Sequence, residues 1–109
     1  MSRKVYFVER ALQREYERLG RGTIAERDLR VVLYKSFQII SENPSAGKQI
    51  RHSLIPKVYL KRYGVDNLWK YDLPHGWRLV YSLVVMEGED LCLIVEWFSH
   101  KQYERRFGY

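Results

Sequence analysis

Between Leu68 and Phe98 the chain holds three apolar, β-favouring runs joined by reversals too short for anything but antiparallel pairing. Leu68 to Leu73 alternates, with Trp69, Tyr71 and Leu73 on one face. Leu73-Pro74-His75-Gly76 has Pro and Gly placed for a tight reversal into Trp77 to Val85. Glu87-Gly88-Glu89-Asp90 turns the chain again, into Leu91 through Phe98. Such a sheet needs an apolar cover, and the N-terminal half supplies one. Arg10 to Leu19 are strong helix formers, stopped by Gly20-Arg21-Gly22. Thr23-Ile24-Ala25-Glu26 has the spacing of a capping box, and the helix it opens is expected to reach Ser41 or Glu42. Leu29, Leu33, Phe37 and Ile40 form its apolar stripe, and Asn43-Pro44 ends it.

The remaining segments are less regular. Residues 3–8 read as a short strand or the run-in to a helix, and residues 44–66 as irregular, with a short helix or turn around 57–63. The polar tail after Ser99 suits one or two helical turns. The expected fold is α+β: an N-terminal strand, two helices on one face of the sheet, a three-stranded antiparallel meander and a short C-terminal helical tail. At 109 residues, this is one domain, 1–109, with one core.

Net charge is +6, and its placement is more informative than its size. Residues 44–66 hold five Lys and Arg against one Asp, an arrangement that suits a polyanion. Aromatic residues make up 15%, enough to fill a core or to stack on bases. The single cysteine, Cys92, lies in the apolar run Leu91 to Val95, so it reads as a buried thiol and excludes a disulfide framework or a Cys-based zinc cluster. No apolar stretch is long enough to span a bilayer, and no targeting segment is apparent, so a cytoplasmic protein without a membrane partner is expected.

The run Asn67-Leu-Trp-Lys-Tyr-Asp-Leu-Pro-His-Gly-Trp-Arg-Leu-Val-Tyr81 resembles the RelE/ParE toxin superfamily, in which a strand and tight turn precede an aromatic, an Arg and a Leu-Val/Ile-Tyr strand. The tail Ser99-His100-Lys101-Gln102-Tyr103-Glu104 is similar to the His-x-x-Tyr ending of many ribonuclease members. The resemblance spans nearly the whole chain. It implies a toxin of a type II toxin–antitoxin pair that cleaves mRNA, usually on the ribosome. No cofactor or metal is needed, because the 2′-OH of the substrate attacks the adjacent phosphate. A cognate antitoxin, acidic or amphipathic, is the implied partner. Two other readings belong to the same fold: a ParE-like gyrase-inhibiting toxin, and a non-catalytic RNA- or protein-binding module.

Within that resemblance, catalytic roles fall to Arg78, His100 and Tyr103. Arg78 shares a strand face with Val80, Ser82 and Val84, and its fork of donors suits a phosphate; the plain alternative is pairing with Asp72. His100, as an imidazole able both to give and to accept a proton, suits proton transfer; the alternative is a capping or hydrogen-bonding residue. Tyr103 is placed to stack on a base or donate a hydrogen bond, or else to cover the sheet edge. RNA-backbone contacts are expected from Lys48, Arg51, Lys57, Lys61 and Arg62, interleaved with Tyr59 and Tyr63, and from Lys101, Arg105 and Arg106. The chain departs from the family in lacking the compact lysine spacing that several members show after the second helix.

Overall fold

The structure, a computed structural model, describes residues 3–108. The elements run β1 (Lys4–Phe7), α1 (Arg10–Leu19), α2 (Ile24–Glu42), β2 (Lys48–Gln49), α3 (Lys57–Tyr63), β3 (Trp69–Asp72), β4 (Arg78–Met86), β5 (Glu89–Phe98) and α4 (His100–Phe107). The fold is α+β. Among the described residues, four α-helices pack around a five-stranded sheet of order β1-β5-β4-β3-β2. The sheet is mixed: β1 lies parallel to β5, from Lys4 opposite Leu91 to Phe7 opposite Ile94, and the other pairings are antiparallel. The sequence suggested only three antiparallel strands and a separate N-terminal one. β1 and β2 extend the sheet on both sides, and β2, at two residues, is too short to leave a periodic signal.

The helix boundaries follow local chemistry. Thr23 Oγ1 accepts from the Glu26 amide at 3.2 Å, and the Glu26 carboxylate accepts from the Thr23 amide at 3.0 Å. This reciprocal cap fixes where α2 begins. Arg18 then ties the two helices together, pairing with both Glu15 and Glu26 at 2.6 Å.

The two long helices share one face of the sheet, as expected, and the two short helices α3 and α4 cover the other. On the first face, Tyr16 and Leu19 of α1 and Leu33 and Ile40 of α2 pack on Leu79, Tyr81 and Ile94. On the second, Tyr59 of α3 and Tyr103 of α4 pack with Ile50, Val65 and Leu68 on Val80, Val95 and Phe98. The reason lies in spacing: Ile55, Tyr59 and Tyr63 recur every four residues, as do Tyr103 and Phe107, and each set gives its short helix one apolar side. Fully burying a side chain such as Leu79 or Val80 contributes roughly 1.5–3 kcal/mol, and both are 0% exposed. Asn67 completes the frame. Its side-chain amide donates to the Leu83 carbonyl at 2.9 Å and accepts from the Leu83 amide at 3.0 Å, continuing the β4 ladder where β3 has not yet begun. That pairing holds the β3 register, and with it the positions of Lys70 and Asp72.

Candidate functional site

Arg78 opens β4 and lies opposite Asp72 of β3 and Phe98 of β5. Strand parity places it on the α3/α4 face with Val80. Its Nε is 3.0 Å from Asp72 Oδ1, so the ion pair offered by the sequence as the plain alternative is present. Its terminal nitrogen also donates to the carbonyls of Gly76 at 3.0 Å and Trp77 at 3.2 Å. Gly76 closes the Pro74–Gly76 turn and Trp77 follows it; within the turn His75 and Gly76 both adopt left-handed backbone (φ 61° and 79°). The turn thus aims the guanidinium, whose side chain is only 19% exposed.

A cation absent from the sequence-derived set stands beside it. Lys70 faces Val80 across the β3–β4 ladder and Lys48 across the β2–β3 ladder, so all three side chains share the α3/α4 face. Lys70 Nζ is 3.4 Å from the same Asp72 oxygen and 5.8 Å from the Tyr103 ring centroid. Two lysines directly opposite each other are an unfavourable cross-strand pair. Three cations, Lys48, Lys70 and Arg78, therefore crowd one sheet corner with Asp72 as the carboxylate among them. The alternation of β3 holds the signal for Lys70: Trp69 and Tyr71 take one face, which leaves Lys70 and Asp72 to the face of Arg78.

His100 begins α4, where Ser99 forms a capping box with Gln102. It sits against the same turn as Arg78, since a methyl group on Gly76 would meet His100 Cβ at 3.4 Å. Its Nε2 is 2.7 Å from Glu104, one helical turn on, and both side chains are exposed. His100 is therefore rooted at the turn that aims Arg78, while its imidazole is engaged by Glu104. Tyr103 behaves differently. It is 3% exposed and stacks on Phe107 at 4.5 Å, so its ring lies in the second core rather than being offered to a base.

The other basic residues spread outward from this corner. Arg51, Lys57 and Lys61 are exposed, the two lysines one turn apart on α3. Lys101 and Arg105, also four apart, lie exposed on α4. Arg62 and Arg106 are committed to ion pairs, with Glu9 at 3.1 Å and Glu96 at 3.4 Å. Arg106 also lies 5.7 Å over the Tyr59 ring and 5.6 Å over Phe98, which makes it a strut between α4 and the sheet.

Glu96 is the carboxylate that no sequence pattern marked. A bulge in β5 explains its place: Val80 pairs with Glu96 and Tyr81 with Ile94, so Val95 is the extra residue. Val95 and Glu96 consequently both reach the α3/α4 side. Burial pushes the Glu96 carboxyl above its usual range, against the opposing pull of Arg106. With Trp97, Phe98, Gln102, Arg105 and Arg106 it lines a groove of about 450 Å³. This groove lies along the α4 flank that carries Gln102 and Arg106, roughly opposite the flank that carries His100 and Glu104. Glu96 is paired with Arg106 and Arg78 with Asp72, so the two charges serve different neighbours.

Comparison with protein-family models, curated proteins and solved structures returns no significant match for this chain. No helix among the described residues is long and apolar enough to cross a membrane.

Proposed function

We propose that this chain is an endoribonuclease toxin of RelE/ParE type, and that its site is the corner formed by Lys48, Lys70, Arg78 and His100. The observation that carries this reading is the register: it stacks Lys48, Lys70 and Arg78 on one face, and the Gly76 turn brings His100 to the same end. In the proposed reaction the 2′ oxygen of a ribose forms a bond to the adjacent phosphorus while the bond from phosphorus to the 5′ oxygen breaks. The products are a 2′,3′-cyclic phosphate and a 5′-hydroxyl. Arg78 and Lys70 stabilise the added negative charge on the phosphoryl oxygens, the role that pre-aimed donors fill best. His100 exchanges the proton, giving it to the departing 5′ oxygen or taking it from the 2′-OH. Arg51, Lys57, Lys61, Lys101 and Arg105 hold flanking phosphates. The ribosome presents the mRNA, and an acidic antitoxin covers the basic surface.

The burial of Tyr103 favours a second reading, a nucleic-acid-binding module that uses the same cation row without cleavage. One experiment separates the two. Purified protein is added to translating ribosomes and the mRNA ends are mapped. Cleavage that is lost in Arg78→Ala and His100→Ala supports the nuclease. Binding of mRNA without new ends supports the module, and the absence of both cleavage and mRNA binding overturns both readings.

A further inference from the structure

The seat between Arg78 and Lys70 is already filled, and by a single oxygen. Asp72 Oδ1 lies 3.0 Å from Arg78 Nε and 3.4 Å from Lys70 Nζ. One anionic oxygen between a guanidinium and an ammonium is the arrangement that a phosphoryl oxygen would adopt there. The three partners differ sharply in how firmly they are held. The Arg78 and Lys70 side chains are 19% and 22% exposed, whereas Asp72 is 60% exposed at the last position of β3. Arg78 is also anchored independently, through the Gly76 and Trp77 carbonyls. The cations are therefore fixed and the carboxylate is the part able to leave.

We propose that Asp72 is a tethered stand-in for phosphate, and that the seat takes one phosphodiester of a nucleic-acid strand when this carboxylate swings out to solvent. This rests on the RNA-directed reading above and deepens it. Without ligand, Asp72 relieves the repulsion among Lys48, Lys70 and Arg78. With ligand, it is a competitor that every anion must displace. A small monoanion gains little from the exchange. A strand that also places neighbouring phosphates near Lys48 and Arg51 gains enough to win, so Asp72 selects for ligands with consecutive phosphates.

The test measures binding of a fluorescent 2′-O-methyl oligoribonucleotide, which cannot be cleaved by 2′-OH attack, by anisotropy across a range of salt concentrations. Wild type is compared with Asp72→Asn, Asp72→Ser and Lys70→Met. The expected result is that both Asp72 variants bind more tightly, by roughly 3–30-fold, with a plot of log K against log salt steeper by up to about 0.7, the increment of one extra phosphate contact on a single strand. Lys70→Met is expected to bind more weakly. Asp72 variants that bind as wild type does, or more weakly, with the salt slope unchanged, overturn the displacement idea while leaving the RNA reading in place. Absence of oligonucleotide binding by wild type and variants alike overturns both. A single cooperative melt of Asp72→Asn, lowered by no more than about 4 °C as expected for loss of an exposed ion pair, shows that a gain reflects the seat rather than a rearranged fold.

Discussion

Gly47 lies immediately before β2, and the space around it sets how closely that strand, and Lys48 with it, can approach β3. A methyl group at this position would lie 2.6 Å from the Lys70 carbonyl oxygen and 2.8 Å from the Tyr81 hydroxyl. The first contact is with the backbone of β3, paired on both sides in the sheet, which cannot rotate away. The second would disturb a chain of hydrogen bonds in which the Gly47 amide donates to Tyr81 Oη at 3.1 Å and that hydroxyl donates to the Pro44 carbonyl at 2.6 Å. Overpacking of this kind costs about 1–3 kcal/mol, and a lost internal hydrogen bond adds about 1 kcal/mol. Gly47→Ala is therefore expected to destabilise the fold by roughly 2–4 kcal/mol. Unfolding entropy scales with length and comes to about 0.23 kcal/mol/K for 109 residues, so the melting temperature should fall by roughly 9–17 °C. Because β2 has only two paired residues, the strain should be relieved by peeling this strand from β3 rather than by compressing the core. Lys48 would then leave Lys70, and under the proposed function the affinity for nucleic acid should drop along with stability. Thermal unfolding followed by circular dichroism tests the first effect and oligonucleotide anisotropy the second. A Gly47→Ala protein that melts within about 2 °C of wild type, under 0.5 kcal/mol on this scale, refutes the close approach of β2 and the geometry of the cation row that depends on it.

Three further outcomes are expected. Glu96 has its carboxyl raised by burial, so folding favours its protonated form; that contribution is complete below the usual value of 4.5 and is lost as pH rises through the folded-state value. Glu96→Gln should therefore gain stability relative to wild type between about pH 4 and pH 7 in urea titrations, and a relative loss over that range would contradict the burial argument. His75 is a non-glycine residue at φ 61°; His75→Asn should raise stability by a few tenths to about 1 kcal/mol, because Asn tolerates left-handed backbone better, and a lower melting temperature would count against it. Thr23→Ala removes one half of the capping box and should lower stability by about 1 kcal/mol, read in the same melts.

Much of the scaffold was legible in local chemistry. The Thr23–Glu26 spacing marked the start of α2, Gly20 marked the end of α1, and alternation through Leu68–Leu73 and Trp77–Val85 marked β3 and β4. What escaped reading depended on partners distant in sequence. β2 exists because Lys48 and Gln49 find Lys70 and Trp69, and two residues have no period of their own. The second core was hidden because Ile50, Ile55, Tyr59 and Val65 are spread over several short elements and loops rather than along one long periodic helix or strand. Arg78 was legible as a candidate and so was its pairing with Asp72. Lys70 was overlooked although the same alternation that revealed β3 assigns it to that face. Glu96 could not be read at all: by strict alternation Val95 and Glu96 face opposite sides, and only the bulge turns both toward α3 and α4.

The most direct measurement is a chemical-shift titration of the labelled protein with the non-cleavable oligonucleotide, following the Arg78 Nε–H, the Lys70 ammonium and the His100 ring. Saturable shifts at all three, with the same dissociation constant and in step with those of Lys48, are the expected result. Shifts confined to α1, α2 or the groove beside Glu96, with Arg78 still locked to Asp72, would show that nucleic acid binds elsewhere or not specifically, and that the cation row is no phosphate site.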